Sequence, residues 1–182
     1  MRIRKTIAPL AILGVGACLG WTVTLKAIPY YATDRLFDNF SNNGLEYNTL
    51  SPSRFRTTQR NVVPMDNADT LTRAAMLDLS AGPVIFSADP ALSAEYWSVS
   101  VFGHNTDTQL VRNDTDLEAG KTYRLLVRLK GQEANPDVDE EVVMHSAKGF
   151  LLVRAVMSDR TDPSYVERLQ TELAGHRLDV LE

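Results

Sequence analysis

Two clusters of polar residues in predicted loops are the first candidates for chemistry in this chain. Asn67 and Asp69 lie just before a predicted strand, where short polar side chains either bond to the backbone and shape a turn or form the corner of a ligand pocket. His104, Asn105 and Asp107 follow an aromatic strand, and exposed loops of this kind often carry function. We favour the structural interpretation for the first cluster and a solvated turn for the second.

Two arginines and a tryptophan on predicted strands form a third group. Arg73 and Arg154 each share a strand face with apolar side chains; the neighbours of Arg154 include Phe150 and Leu152. A buried arginine needs a carboxylate or several other acceptors, because an unpaired interior charge costs several kcal/mol. We expect structural ion pairs, the alternative being a cationic anchor for an acidic ligand. Trp97 is expected in the core, the alternative being stacking on a carbohydrate or hydrophobic ligand.

Signatures of catalysis and metal binding are missing from the sequence. It contains no Gly-x-Ser-x-Gly elbow, and its single cysteine, Cys18, lies in an apolar segment. The three histidines are far apart along the chain, which disfavours a histidine metal site. The acidic run over residues 137–141 is interpreted as a solvated loop. We therefore predict no catalytic residue, no cofactor and no metal.

The amino-terminal segment predicts where the protein resides. The 20 residues from Thr6 to Leu25 carry no charge, and as a helix they would span about 30 Å, the thickness of a bilayer's hydrocarbon core. Three cations precede this segment and an acidic chain follows it, which places residues 1–5 in the cytoplasm. We predict a single-pass signal anchor over residues 6–26 in the inner membrane, with the rest of the chain in the periplasm.

Two alternatives stay open for this segment. Small residues before Cys18 would suit a lipoprotein signal anchored at that cysteine, although the sequence after it stays mostly apolar. An ordinary cleaved signal peptide would need a small-x-small site, and no convincing one precedes the folded part.

Composition limits the class of protein. Hydrophobic residues make up 44% and charged residues 23% of the chain, which is ordinary for a globular protein. The net charge of -4 offers no basic excess to neutralise phosphates, so we expect no nucleic-acid partner.

Residues 61–182 have the pattern of a mainly β domain. Strands are predicted over residues 70–79, 84–86, 96–102, 108–112, 122–130, 141–146 and 150–157. Seven short strands favour an antiparallel β-sandwich or a partly closed barrel, and strong turns suggest that the first two strands and the last two form hairpins.

Two helical or extended regions flank these strands. Residues 27–60 are predicted as a short juxtamembrane helix over 30–40, after Pro29, and an extended linker. At the other end Asp162, Pro163 and Gly175 delimit a C-terminal helix over about 163–175.

Several motifs occur together between residues 45 and 160. They are the segments 65–71 (MDNADTL), 77–84 (LDLSAGPV), 96–102 (YWSVSVF) with 105–107 (NTD), and 148–154 (KGFLLVR). In this combination the chain resembles the domain-of-unknown-function 1254 family of bacterial envelope proteins. It departs from many relatives at Thr72, where they have tyrosine.

The resemblance implies architecture and location rather than chemistry, because the family has no established reaction. Its long members carry a second domain, of the domain-of-unknown-function 1214 type, for which this chain is too short. The chain therefore resembles the short, membrane-anchored branch, whose partner domain tends to be a separate neighbouring protein. We expect a noncatalytic, periplasm-facing binding module that acts with that protein.

The alternative is a small-ligand receptor or an enzyme subunit. Its pocket would be lined by Arg73, His104, Asp107 and Arg154 and completed by the partner. A scaffold predicts both arginines paired with carboxylates in a closed core, whereas a receptor predicts at least one of them reaching a cavity.

Overall fold

The structure is a computed structural model that describes residues 3–55, 67–118, 120–133 and 137–181. Its helices are α1 (Ile3–Asn42) and α2 (Pro163–Ala174). Its strands are β1 (Arg54–Phe55), β2 (Thr70–Asp78), β3 (Val84–Ala88), β4 (Tyr96–Gly103), β5 (Thr108–Asn113), β6 (Tyr123–Leu129), β7 (Glu140–Met144), β8 (Lys148–Val156) and β9 (Arg177–Val180). The end of the predicted linker (56–60), the first two residues of the 65–71 motif and part of the predicted cytoplasmic tail lie outside the described residues.

The strands form two packed sheets. Sheet A has the order β1-β2-β8-β4-β5, and sheet B has the order β7-β6-β3-β9. All pairs are antiparallel except β6 with β7, which run parallel. The predicted sandwich is confirmed, and the sheets do not close into a barrel. The seven predicted strands correspond to β2–β8, while β1 and β9 were not predicted.

The main core lies between the two sheets. Alternating apolar residues point inward from β4 and β6 because successive side chains of a strand face opposite sides. The alternation in the sequence predicts seven inward side chains: Trp97, Val99, Val101, Tyr123, Leu125, Val127 and Leu129. All are buried between the sheets except Leu129, which is half-buried against this core. The predicted C-terminal helix, α2, is confirmed and adds Leu169 and Leu173 to this core. The Asp162 carboxylate caps it by accepting hydrogen bonds from the amides of Ser164 and Tyr165.

Ion pairs hold the parallel strand β7 against its neighbours. The acidic run 137–141 is predicted to be a solvated loop; residues 137–139 do lie outside the strands, with Asp137 90% exposed, whereas Glu140 and Glu141 begin β7. Its carboxylates are paired with basic side chains of β5, of β6 and of the segment before β6. The pairs are Arg112–Glu140, Lys121–Asp139, Arg124–Asp137 and Arg128–Glu141. The first of them joins the edge of sheet A to the edge of sheet B.

Both predicted hairpins are wrong. The strand β2 pairs with β8 in sheet A, whereas β3 pairs with β6 and β9 in sheet B. The turn between β2 and β3 crosses the sandwich, and so does the turn between β7 and β8. At the first crossing Gly82 has φ +138°, and a Cβ there would come within 2.4 Å of the Leu181 carbonyl oxygen. Crossing is favoured because it lets both strands of each pair bury apolar side chains against the opposite sheet.

The amino-terminal region is one continuous helix where the sequence predicts two. The 40 residues of α1 extend for about 60 Å, and Pro29 does not end it. The Thr33 hydroxyl donates to the Pro29 carbonyl at 3.0 Å within this helix. Large apolar side chains are exposed from Ile12 to Tyr31. This N-terminal helix is long and apolar enough to cross a membrane, which is compatible with a single-pass anchor or a signal sequence.

The C-terminal part of α1 packs on the outer face of sheet A. Phe37 is 2% exposed, and the ring of Phe40 stacks on that of Phe150 at 5.7 Å between centroids. These rings cover a second apolar cluster, to which sheet A contributes Ala74, Met76, Phe150 and Leu152. The predicted juxtamembrane region is therefore an integral part of the β domain.

This packing predicts a large effect of Phe37→Ala on stability. Removing the ring leaves a cavity on sheet A, so we expect the free energy of unfolding to fall by about 3 kcal/mol or more. The measurement is denaturant unfolding of the full chain in detergent, followed by tryptophan fluorescence. Tyr31→Ala is the control, because Tyr31 is 62% exposed on the same helix, and its loss should change stability by less than about 0.5 kcal/mol. Equal effects of the two variants would contradict the packing.

Candidate functional site

The structure places the residues singled out in the sequence at four separate locations. Arg73 and Trp97 lie in the core between the sheets. The 103–107 turn lies at the end of the sandwich beside α1, and Asn67 and Asp69 lie at the opposite end. Arg154 is on the outer face of sheet A. These positions do not form one pocket.

Arg73 satisfies its buried charge with carbonyl oxygens instead of a carboxylate. Its Nε donates to the Ser51 carbonyl at 2.8 Å, and its Nη1 donates to the carbonyls of Leu173 at 2.5 Å and His176 at 3.1 Å. The last two belong to the C-terminal end of α2 and the residues after it, where helix carbonyls carry partial negative charge. The Leu173 carbonyl also accepts the His176 amide at 3.2 Å. The expected ion pair is therefore replaced by a cap that ties β2 to α2.

His176 lies in the core next to this cap. It is 2% exposed, and its ring contacts those of Phe86 and Trp97 at 5.7 and 5.6 Å between centroids. Neither ring nitrogen has a hydrogen-bond partner among the described residues. Burial, with a smaller contribution from the charge of Arg73, lowers the pKa of His176 to about 4, although the nearby Asp89 backbone acts in the opposite direction. His176 is therefore a neutral core residue at neutral pH.

Trp97 fulfils the structural expectation. It is 1% exposed, and its indole Nε1 donates to the Pro90 carbonyl at 3.0 Å. A fully buried indole whose polar atom is already bonded does not present a stacking surface to a ligand.

His104 forms the joint between the β domain and α1. Its Nε2 lies 2.7 Å from Oδ1 of Asp34. Its ring packs edge-on against Tyr30 at 5.2 Å and stacks on Phe37 at 6.0 Å, measured between centroids. Its backbone amide donates to the Ser146 hydroxyl at 3.2 Å. His104, which the sequence predicts to lie in a solvated turn, therefore fixes α1 to two turns of the sandwich.

The rest of this turn is shaped by Gly103. The Gly103 amide donates to the Asp107 carbonyl at 2.8 Å, and the Thr106 amide donates to the Gly103 carbonyl at 3.0 Å. A Cβ at Gly103 would clash with the side-chain oxygens of Asn105 and Asp107, at 2.9 and 2.2 Å. Asn105 and Asp107 thus lie against the turn backbone, and Thr106 is exposed at its tip.

At the opposite end, Asn67 and Asp69 form a turn before β2. The side-chain oxygen of Asn67 accepts the Asp69 amide at 3.0 Å, and the Asp69 carbonyl accepts the Met157 amide at 2.8 Å. The Asp69 carboxylate lies 3.6 Å from Arg160 across the surface. These contacts agree with the structural interpretation of the cluster.

Arg154 is exposed, which corrects the expectation of a buried ion pair. The face that it shares with Phe150 and Leu152 points away from the main core, and α1 covers only the part nearer Phe150. Beyond α1 this face carries a patch of polar and apolar side chains that we call the distal patch: Thr72, Tyr96, Val111 and Arg154. Tyr96 and Val111 are 39% and 44% exposed.

A shallow polar groove of about 230 Å³ lies near the β5–β7 edge. It is lined in part by Arg112, Lys121, Tyr123 and Glu140. Arg112 pairs with Glu140, which also accepts the Tyr123 hydroxyl at 2.8 Å, and Lys121 pairs with Asp139. Both cations of the groove are thus already neutralised by neighbouring carboxylates. Within the described residues no group of three His, Cys, Asp or Glu side chains is placed to hold a metal ion.

Sequence reasoning missed Asp34 and His176 as partners of the residues that it singled out. Asp34 is four positions after Tyr30 and three before Phe37, so one face of α1 presents all three to His104. The sequence shows that spacing, but it does not show that His104 of the β domain is the residue that this face contacts. No local pattern places His176 beside Arg73, since 103 residues separate them.

A family model described as a protein of unknown function (DUF1254) matches residues 47–176. This range contains all the strands from β2 to β8 and the whole of α2. No curated protein matches the chain.

Two solved structures share the fold. The VPA0106 protein from Vibrio parahaemolyticus is 18% identical, with a TM-score of 0.65 over 84% of this chain and 35% of its own. An uncharacterised protein from Burkholderia cenocepacia is 12% identical, with a TM-score of 0.51 over 75% of this chain and 36% of its own. The chain thus spans about a third of the length of each.

The contrast between the two arginines predicts unequal effects of the same substitution. Arg73→Met removes the arginine donor from the Ser51 and His176 carbonyls and one of the donors to the Leu173 carbonyl, so we expect the free energy of unfolding to fall by about 3 kcal/mol. Arg154→Met, on the exposed face, should change it by less than about 0.5 kcal/mol. Denaturant unfolding of the two variants provides the test, and a larger loss for Arg154→Met would refute this placement.

His176 predicts a component of acid sensitivity. Its pKa is about 4 in the folded chain and near 6.5 when unfolded, so only the unfolded state takes up a proton as the pH falls between these values. The free energy of unfolding should therefore decrease by about 1.4 kcal/mol per pH unit from pH 6.5 towards 4, and be unaffected by this group above that window.

The measurement is the pH dependence of unfolding for the parent chain and His176→Leu. The variant should lose this slope, whatever its overall stability. His145→Leu, at an exposed histidine, is the control and should keep it. A slope that persists in His176→Leu would exclude the assignment.

Proposed function

Because this chain belongs to the DUF1254 family, we propose that it is a noncatalytic interaction module held at the periplasmic side of the inner membrane by α1. In this proposal residues 1–5 lie in the cytoplasm, α1 crosses the bilayer once, and the β-sandwich binds a separate partner protein.

The observation that carries the proposal is the continuity of α1. Its exposed apolar surface runs to Tyr31, and Thr33 and Phe37 of the same helix are buried against the β domain. An apolar helix exposed over this length is unfavourable in water and favourable in a bilayer. The anchor and the folded domain therefore share one rigid element, which suits a module that holds a partner at a set place near the membrane.

The same geometry favours a binding module over a small-ligand receptor. Three donor contacts of Arg73 go to backbone carbonyls, and Trp97 is closed off in the core. Neither side chain is directed to a cavity. Arg154 and His104 are on different parts of the surface, so a pocket that needs all of them would require a large rearrangement.

The distal patch is the surface that we assign to the partner. It continues the face of sheet A on which α1 already packs, and it combines a cation, an aromatic ring and an aliphatic side chain, which are typical of protein interfaces. The solved relatives are more than twice as long as this chain. We propose that a separate neighbouring protein of the DUF1214 type supplies what the longer relatives carry in one chain, and that this chain represents a short membrane-anchored branch.

Partner binding should depend on Arg154. Arg154→Glu reverses the central charge of the distal patch, so we expect recovery of the partner with the tagged chain from detergent-solubilised membranes to fall several-fold. The measurement is quantitative mass spectrometry of the captured proteins. Arg160→Glu is the matched control, since Arg160 is an exposed arginine off the patch, 53% exposed and only distantly paired with Asp69. Equal recovery of the partner with both variants would exclude the distal patch as its binding surface. If no partner is recovered and the chain binds a small molecule tightly, the receptor is favoured instead.

The alternative anchor at Cys18 makes a different prediction. Cys18 is exposed in the middle of the apolar part of α1, where a transmembrane anchor has no need of its thiol. We expect Cys18→Ser to remain in the membrane fraction after alkaline washing, and the intact mass of the parent chain to include residues 1–17 without a lipid. A lipidated chain beginning at Cys18 would establish the lipoprotein instead.

A further inference from the structure

We propose that the end of the sandwich formed by the 103–107 turn and the 145–147 connection rests on the phospholipid headgroup layer, so that the domain is seated on the bilayer as well as tethered to it. We call this end the seat. The inference rests on the proposed function, because it requires α1 to span the membrane.

The first step is the height of the seat along α1. His104, in the seat, contacts Tyr30, Asp34 and Phe37, and Ser146 of the seat binds the His104 amide. The seat therefore lies beside the turn of α1 that begins at Tyr30.

The second step is the end of the apolar segment. Leu25 and Ile28 are 53% and 54% exposed and are the last large aliphatic side chains exposed on α1 before the domain begins. At about 1.5 Å per residue, Tyr30 is about 8 Å beyond Leu25 and about 3 Å beyond Ile28 along the helix. No linker intervenes, because α1 is continuous through Asn42.

The third step compares these heights with the bilayer. The polar layer on each side of the hydrocarbon core is about 5–8 Å thick. If the hydrocarbon ends between Leu25 and Ile28, the turn at Tyr30 and the seat beside it fall within the headgroup layer. Tyr30 and Tyr31 suit this depth, because tyrosine is enriched at membrane interfaces.

The chemistry of the seat fits headgroups and not hydrocarbon. Its exposed or half-buried side chains, apart from Ala147, are polar: His104, Asn105, Thr106, Asp107, His145 and Ser146. Amides, hydroxyls and an imidazole can bond to phosphate and ester oxygens and to interfacial water. The partner is thus a phospholipid surface, met edge-on by the ends of β4, β5 and β8.

The opposite end of the sandwich provides a comparison. Along β4 and β8, the pair Tyr96–Val156 is seven residues from the pair Gly103–Gly149, a separation of about 23 Å. Ser158, exposed just beyond β8, should therefore stand clear of the headgroup layer while Thr106 lies in it.

The test is a set of single nitroxide labels on the full chain in vesicles of phosphatidylethanolamine and phosphatidylglycerol. In a Cys18→Ser background, one label is placed by Thr106→Cys in the seat, one by Ser158→Cys at the far end, and one by Val23→Cys in α1. Relaxation of each label by a nickel-chelating headgroup lipid and by oxygen dissolved in the hydrocarbon is measured. We expect headgroup relaxation several-fold greater for the label at 106 than at 158, and strong oxygen relaxation at 23.

Two contrary results separate the inference from the proposed function. Strong oxygen relaxation at 23 with equal headgroup relaxation at 106 and 158 overturns the seat and leaves the anchor. A label at 23 that is accessible to water instead overturns both.

An insertion provides a second test of the seat. Four helix-forming charged residues inserted after Ala27 would lengthen α1 by about one turn, 6 Å, outside the hydrocarbon. We expect headgroup relaxation at 106 to fall several-fold with the label at 23 unchanged. An unchanged signal at 106 would mean that α1 does not set the height of the domain and would refute the seat.

Discussion

The packing of α1 on sheet A is the interaction on which the rest of the structure depends. Sheet A is apolar on both faces at this end, so a sandwich with sheet B covers only one of them. Phe37 and Phe40 cover the other, over Met76 and Phe150, in a cluster separate from the main core. The apolar N-terminal helix thereby completes the fold. An anchor joined by a flexible linker would leave this face open to water, at a cost that grows with the apolar area exposed.

A second constraint acts inside the sandwich. The C-terminal end of α2 brings the partial negative charge of the Leu173 and His176 carbonyls into the core, and Arg73 brings a cation that would be unfavourable there without these acceptors. Their contact fixes α2 against β2 and closes the side of the sandwich opposite the ion pair between Arg112 and Glu140. Arg73, which could have anchored a ligand, thereby has a structural role, and the candidate binding surfaces are on the outside of the sandwich.

Those outer surfaces differ in character. One end of the sandwich is joined to α1 through His104 and carries mostly small polar side chains. The uncovered part of sheet A combines Arg154 with Tyr96 and Val111. In the arrangement proposed above, α1 sets the first surface at the membrane, and the strands of sheet A, which run between the two surfaces, present the second away from it. Under that proposal the domain acts as a spacer that displays the distal patch at a fixed distance from the membrane.

The sequence by itself determined the elements: the apolar helix, the seven strands from β2 to β8, the inward faces of β4 and β6, and the capped helix α2. These follow from periodicity and capping, which are local properties of the chain. The tertiary structure decided which sheet each strand joins, that α1 continues past Pro29 onto sheet A, that Arg73 meets His176 and that Arg154 does not enter a core. A turn motif such as the one at Gly82 shows where the chain reverses, but not which sheet it enters. That choice depends on apolar surfaces that are distant in sequence. A strand face with apolar residues has the same sequence pattern whether a sheet or a helix covers it.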